Sequence, residues 1–330
     1  MIHISREEIA RHILSRGAKT VLVQAPEGLK PQVSRMIPHL EEKTGSVIIL
    51  HGDSCFGSCD LGLADGLRMG IDLVVHIGHN PYFGDYRNER LVFIDAYEEK
   101  QLNPTLLKQI MELAENRTLG LVASIQYLKI LDDVRSFISR NGGRAVVGRA
   151  SSNVMKPGQV MGCEITTAKT VRNEVDAFLA IGGGDFHALG VALWTGRPTY
   201  IADPYKESLV DLTPLARRKL AVVAARLDDA TRAERFGVIV GLKEGQMKRG
   251  MPDVIASKLE KRGKKVIRLA LRELSPERLR YFDGIDCFVQ TLCPRISIDD
   301  VELYAVPVLS YDQFSILVEE KTFESVYPWD

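Results

Sequence analysis

The 330-residue sequence carries no surplus charge: 43 Lys and Arg balance 43 Asp and Glu. Neutrality leaves no basic footprint for a bare duplex or an acidic membrane, so neither nucleic acid nor a membrane is expected as a direct partner. Long apolar runs are missing too. No window nears the roughly 20 apolar residues of a bilayer span, and the opening Met1-Ile-His-Ile-Ser5 has no charged-then-apolar secretion signal. A soluble, cytoplasmic protein is the expectation. Cysteine is scarce and odd in number, limited to Cys55, Cys59, Cys163, Cys287 and Cys293, which argues for a reduced compartment rather than a disulfide framework. Histidine is nearly absent from the second half, where only His187 lies beyond residue 80. With no G-x-S-x-G elbow either, nucleophilic and acid–base schemes find little footing. Disorder is excluded by an apolar fraction of 45%.

What the chain does have is a repeated phrase. Ser5-Arg-Glu-Glu8 has the form of a helix capping box, Ile9, Ile13 and Leu14 share a face, and Gly17 stops the helix. A continuous apolar run follows, Lys19-Thr-Val-Leu-Val-Gln24, of the kind buried on both faces in a parallel sheet. Thr118 to Gln126 and Phe236 to Gln246 repeat it, each after a helical stretch and each ending in a loop with Gln. Second strands read Ser46–His51, Arg144–Gly148 and Lys265–Leu269. Third strands all start with Asp, at Asp72, Asp176 and Asp286, and fourth strands follow at Leu91–Tyr97, Pro198–Tyr205 and Val306–Tyr311.

A repeat of this size is a domain rather than a solenoid unit. The expected fold is α/β: three similar small domains, each a mainly four-stranded parallel sheet flanked by helices, in pseudo-threefold arrangement. Boundaries are expected at 1–100, 101–205 and 206–330, the last unit including a tail from Glu319 that packs on a neighbour. In such sheets ligands gather beyond the carboxyl ends of the strands.

Three cysteines fall at those ends. Cys59 follows the second strand of the first unit, Cys163 the second strand of the second unit after a Gly/Ser-containing loop, and Cys293 the third strand of the third unit. If those ends face one another, three thiolates converge without any local motif. Three thiolates suit an iron–sulfur cluster that leaves one iron open; zinc with a water is the inorganic rival. A free cysteine is ordinarily a small buried apolar residue, and Cys287, within an apolar strand, is expected to be that. Cys55 shares a loop with Cys59 at plausible ligand spacing, but the other units offer no second thiol to match it. Gln24, Gln126 and Gln246 occupy equivalent loops, suited to orienting a polar substrate or merely to capping those loops. Gly182-Gly-Gly184 reads as a tight strand-end turn more readily than as a phosphate cradle. Arg295, just after Cys293-Pro294, has the fork to pair bidentately with a carboxylate brought to the open iron.

At these residues a family resemblance emerges. Gly52-Asp-Ser-Cys-Phe-Gly-Ser-Cys-Asp60, Gly158-Gln-Val-Met-Gly-Cys163 and above all Cys293-Pro-Arg-Ile-Ser-Ile-Asp299 resemble the three cysteine motifs of the archaeal diphthamide synthases, and the likeness runs over essentially the whole chain. The resemblance implies a homodimer of three-domain subunits with Cys59, Cys163 and Cys293 holding a [4Fe-4S] cluster. It further implies a noncanonical radical S-adenosylmethionine enzyme in which the cluster, not a side chain, is the redox centre. An electron donor would supply the cluster, the bond from sulfur to Cγ would break, and a 3-amino-3-carboxypropyl group would pass to a histidine of translation elongation factor 2. No third cysteine completes the usual C-x-x-x-C-x-x-C radical motif begun by Cys55 and Cys59, which fits three separated ligands. Gln24, Gly241, Gln246, Arg295 and Asp299 are expected to bind the S-adenosylmethionine. Two rivals stand beside this reading: a quinolinate-synthase-like cluster enzyme and a non-enzymatic metal or ligand sensor.

Overall fold

The computed structural model describes residues 2–81, 88–150 and 155–329. Strand β1 (His3–Ile4) precedes a first sheet of β2 (Thr20–Gln24), β3 (Val47–Leu50), β4 (Leu73–Ile77) and β5 (Leu91–Ile94), after which β6 (Ala96–Tyr97) pairs back antiparallel onto β1. A second sheet holds β7 (Thr118–Ala123), β8 (Arg144–Val147), β9 (Ala177–Ile181), β10 (Thr199–Asp203) and β11 (Ser208–Asp211). The third contains β12 (Arg235–Gly241), β13 (Lys265–Leu271), β14 (Cys287–Gln290) and β15 (Val308–Leu309).

The orders are β3-β2-β4-β5, β8-β7-β9-β10-β11 and β13-β12-β14-β15. In every sheet the four core strands thus run second, first, third, fourth, all parallel, so the repeated phrase is one topology used three times. The Asp that opens each third strand has a mechanical role. Asp72 accepts the backbone N–H groups of Lys19 and Thr20, both at 2.9 Å, Asp176 that of Thr118 at 2.7 Å, and Asp286 those of Glu234 and Arg235 at 3.0 and 2.8 Å. Each carboxylate therefore ties the start of its sheet's first strand to the start of the third and sets their register. Backbone hydrogen bonds of this kind hold the Asp72 and Asp286 carboxyls below their usual range.

Departures from expectation are local. The first helix, Arg6–Arg16, is capped by Ser5 and ends at Gly17 in the left-handed region, and it buries Ile9 and Ile13, but Leu14 faces outward, 55% exposed. The second sheet gains the antiparallel β11, whose hairpin with β10 runs across position 205; Asp203 accepts the Tyr205 and Lys206 N–H groups in its turn. The tail packs as expected of it: Tyr327 is 1% exposed, in a core shared with Leu189 and Leu193 of the second unit. Arg172 donates to the Pro328 carbonyl at 3.1 Å, and a Cβ on Gly196 would lie 1.7 Å from that oxygen, so only glycine lets the tail dock there. Asp330 and the Ser151–Ser152 part of the Gly/Ser loop lie outside the described residues. Among the described residues no helix is long and apolar enough to cross a membrane.

Candidate functional site

The loops beyond the carboxyl ends of the three sheets meet around one cavity of about 580 Å³. Cys59, Cys163 and Cys293 all line it, each delivered by a different sheet. Gln246 donates from Nε2 to the Cys59 sulfur at 3.6 Å. The thiols also sense one another. A hydrogen bond from Cys163 to Cys293 pulls the Cys293 thiol down and pushes Cys163 up, with burial adding to the rise at Cys163, and burial raises Cys59. A cation-binding centre would release all three from this competition for protons.

Polar contacts across each joint between units hold the loops in place. Between the first and second units, Asn80 and Gln159 exchange amide hydrogen bonds at 3.3 and 2.6 Å, and Gln126 donates to the Gly78 carbonyl. Between the first and third, the buried Lys243 ammonium meets Asp60 at 2.6 Å, next in sequence to Cys59, whose own carbonyl accepts the Gly245 N–H at 3.0 Å. Between the second and third, Arg295 spans the gap from the Cys293 loop, donating to the carbonyls of Gly162 and Phe186. One ligand loop is thus braced on each side by a neighbouring unit.

The residues expected to hold a cofactor take different places. Gln246, Arg295 and Asp299 line the cavity, whereas Gln24 and Gly241 do not. Gln24 is 1% exposed and its amide is occupied by the Asp60 carbonyl, the Gly62 N–H and His76, so it braces the Cys59 loop from beneath. Gly241, at the end of β12, packs against Gln246 and Leu292 and donates its N–H to Thr291. The expected role of Arg295 as a free fork for a substrate carboxylate is corrected. Its guanidinium is 2% exposed and already bidentate with Asp299 at 2.9 and 2.8 Å, with its third nitrogen on the two carbonyls. The i,i+4 spacing of Arg295 and Asp299 satisfies the fork internally.

Cys287 is completely buried in β14, as expected, and burial drives its thiol far above the usual range. Cys55 is buried as well and groups with His76 and His79 rather than lining the cavity. Residues not singled out from sequence also line the cavity, notably His79, Lys243, Phe186 and His187, with Arg272, Glu273 and Arg278 beside them. His79 was findable: it follows a third strand, the position that carries Cys293 in the third unit. Gly182–Gly184 forms the strand-end turn and borders a second, smaller cavity of about 240 Å³.

Comparison with known proteins places the chain. Residues 25–328 match the model of a family of diphthamide synthesis proteins. The chain is 31% identical to the 2-(3-amino-3-carboxypropyl)histidine synthase of Pyrococcus horikoshii, over 99% of its own length and 94% of that protein. It is 27% identical to the 2-(3-amino-3-carboxypropyl)histidine synthase of Methanocaldococcus jannaschii, over 97% of this chain and 91% of the other. The crystal structure of Dph2 from Pyrococcus horikoshii with a 4Fe-4S cluster superposes with a TM-score of 0.86 at 28% identity, over 99% of this chain and 95% of that one. The quinolinate-synthase-like and sensor alternatives give way to this match. By its matched length and by these identities, the chain belongs to the family of diphthamide synthesis proteins, a family of enzymes.

Proposed function

We propose that the chain catalyses the first step of diphthamide biosynthesis, transferring the 3-amino-3-carboxypropyl group of S-adenosylmethionine to an imidazole carbon of a histidine on translation elongation factor 2. The observation that carries this reading is the arrival of Cys59, Cys163 and Cys293, one from each sheet, in a single cavity. That donor set fits a [4Fe-4S] cluster, since three soft thiolates leave one iron for substrate, and Dph2 from Pyrococcus horikoshii, of matching fold, has been crystallised with such a cluster. When bound, the cluster supplies the low-potential electron for reductive cleavage of a carbon–sulfur bond.

The remaining work falls to the chain's own residues. The amide of Gln246 donates to the Cys59 sulfur and so fixes where that ligand stands on the cavity wall. Arg295 acts at one remove, fixing the Cys293 loop to the Cys163 loop. The cavity, at about 580 Å³, is of a size to enclose most of a nucleoside-sized ligand. Arg272, Arg278 and Glu273 bring both signs of charge to it, as the carboxylate and ammonium of a methionine moiety require. The net reaction is redox-neutral. The bond from sulfur to Cγ breaks, a bond from Cγ to the imidazole carbon forms, methylthioadenosine leaves, and the displaced imidazole hydrogen departs as a proton.

A homodimer in the cytoplasm, served by a separate electron donor, completes the proposal. Its test is to incubate reduced protein anaerobically with carboxyl-labelled S-adenosylmethionine and elongation factor 2. Label on the factor together with methylthioadenosine supports the reading; deoxyadenosine, or no transfer, overturns it.

A further inference from the structure

One buried group of metal-binding side chains has no part in the reaction above. The ligand atoms of Cys55, His76 and His79 all lie within 4.8 Å of one another. Cys55 belongs to the loop after β3, four residues before Cys59; His76 is in β4, and His79 follows that strand. Cys55 and His76 are 2% and 0% exposed, while His79 is half-buried and lines the cavity.

Hydrogen bonding fixes which nitrogen of His76 is available. The Gln24 amide is oriented by two backbone partners: its Nε2 donates to the Asp60 carbonyl and its Oε1 accepts the Gly62 N–H, both at 2.8 Å. Oε1 can only accept, so His76 Nδ1, 2.9 Å away, carries the proton. In the neutral ring Nε2 is then the unprotonated nitrogen, and it accepts the His79 Nδ1–H at 3.0 Å, a hydrogen bond that a cation shared by the two rings would replace. An imidazole that gives one N–H to a carbonyl-type oxygen and keeps the other nitrogen bare is oriented as metal-ligating histidines are. The neighbouring thiol belongs to the same picture. Burial first, and then the negative charges of Asp60 and Glu27, push the Cys55 thiol up to about 12, a cost that a divalent cation beside the sulfur would offset.

We infer that Cys55 Sγ, His76 Nε2 and a ring nitrogen of His79 form a second metal site, selective for a zinc-class divalent cation and distinct from the three-cysteine centre. One thiolate and two imidazoles are a donor set that zinc takes readily. Bond lengths of about 2.0–2.3 Å place tetrahedral donors roughly 3.3–3.6 Å apart, so on binding the present group, whose ligand atoms lie within 4.8 Å of one another, has to contract by up to about 1.2 Å toward the sulfur and open by a few tenths of an ångström between the two rings. The ion would staple the loop that carries Cys59 to β4 and hold the His79 wall of the cavity. This site stands independently of the transfer reaction.

The test is elemental analysis of anaerobically purified full-length protein, counting zinc and iron separately, with zinc-edge X-ray absorption on the same sample. About one zinc per chain is expected, with one sulfur and two nitrogens in its first shell. Cys55→Ser and His76→Gln should each lose zinc at least tenfold, whereas Cys287→Ser keeps it. Absence of zinc from the wild-type protein after growth in zinc overturns the inference, as does undiminished zinc in Cys55→Ser. A shell of three sulfurs does so as well, because it puts the ion on the cluster cysteines; that reading needs no variant to fold.

Discussion

Arg295 and Asp299 form a bidentate ion pair, at 2.9 and 2.8 Å, inside the turn that follows Cys293, and the guanidinium nitrogen left over reaches across to the carbonyl of Gly162 beside Cys163. The Arg295 guanidinium also lies 4.1 Å from the centre of the Phe186 ring. Two of the three thiols are therefore held in relation to each other by one side chain. It follows that changes at this joint should be read at the metal centre and not only in stability.

Arg295→Lys replaces a planar fork with a point charge that cannot serve Asp299 and two carbonyls together. Partial loss of a buried pair of this kind destabilises by roughly 2–4 kcal/mol. We expect that loss in chemical denaturation, together with an altered electron paramagnetic resonance signature of the reduced, reconstituted protein. An unchanged spectrum with unchanged stability would remove the clamp from the account.

Gly190 tests the same joint from the opposite side. A Cβ there would lie 2.6 Å from the Gly162 carbonyl oxygen and 3.0 Å from an Arg295 nitrogen. Within helix Phe186–Thr195 alanine should be favoured over glycine by about 1 kcal/mol, while overpacking against backbone costs about 1–3 kcal/mol. The backbone contact decides the sign. Gly190→Ala should lower stability and reduce retained iron, and a stabilised variant with full iron content would contradict the close approach.

His187 sets a pH dependence. Burial, and then the neighbouring Arg295 charge, lower its pKa to about 4 from an unperturbed value near 6.5. The unfolded chain thus takes up a proton between about pH 6.5 and 4 that the folded chain does not. This contribution is complete above about 6.5 and declines as the pH falls, by up to about 1.4 kcal/mol per unit. In cluster-free protein, the stability difference between wild type and His187→Gln should shift by about 1 kcal/mol against the wild type from pH 7.5 to 5.5, within that slope. A difference that does not move between these pH values would mean that neither the cavity wall nor the Arg295 charge depresses the His187 pKa.

Much of this molecule was legible in its sequence, for identifiable reasons. The three sheets were visible because fully buried parallel strands read as unbroken apolar runs, and because Asp72, Asp176 and Asp286 mark the same mechanical position in each. Cys59, Cys163 and Cys293 stood out because each follows a strand end, where parallel sheets present their loops. Arg295 was misread because its spacing to Asp299 is local but its acceptors at Gly162 and Phe186 lie in another unit, and no linear pattern reports a backbone carbonyl 133 residues away. Strand β11 escaped because it is short, and Val210, Asp211 and the turn residues before it are exposed. The Cys55, His76 and His79 group was hidden by the fold itself, which brings the loop after β3 against β4.

The measurement closest to the centre of this account is iron content and absorbance near 400 nm after anaerobic reconstitution, compared across single cysteine variants. Cys59→Ala, Cys163→Ala and Cys293→Ala should each come out colourless or nearly so, while Cys287→Ala and Cys55→Ala keep their brown colour, the latter losing only its zinc. A colourless wild type, or a full cluster in any of the first three variants, would contradict the convergence of one thiol from each sheet on a single cluster.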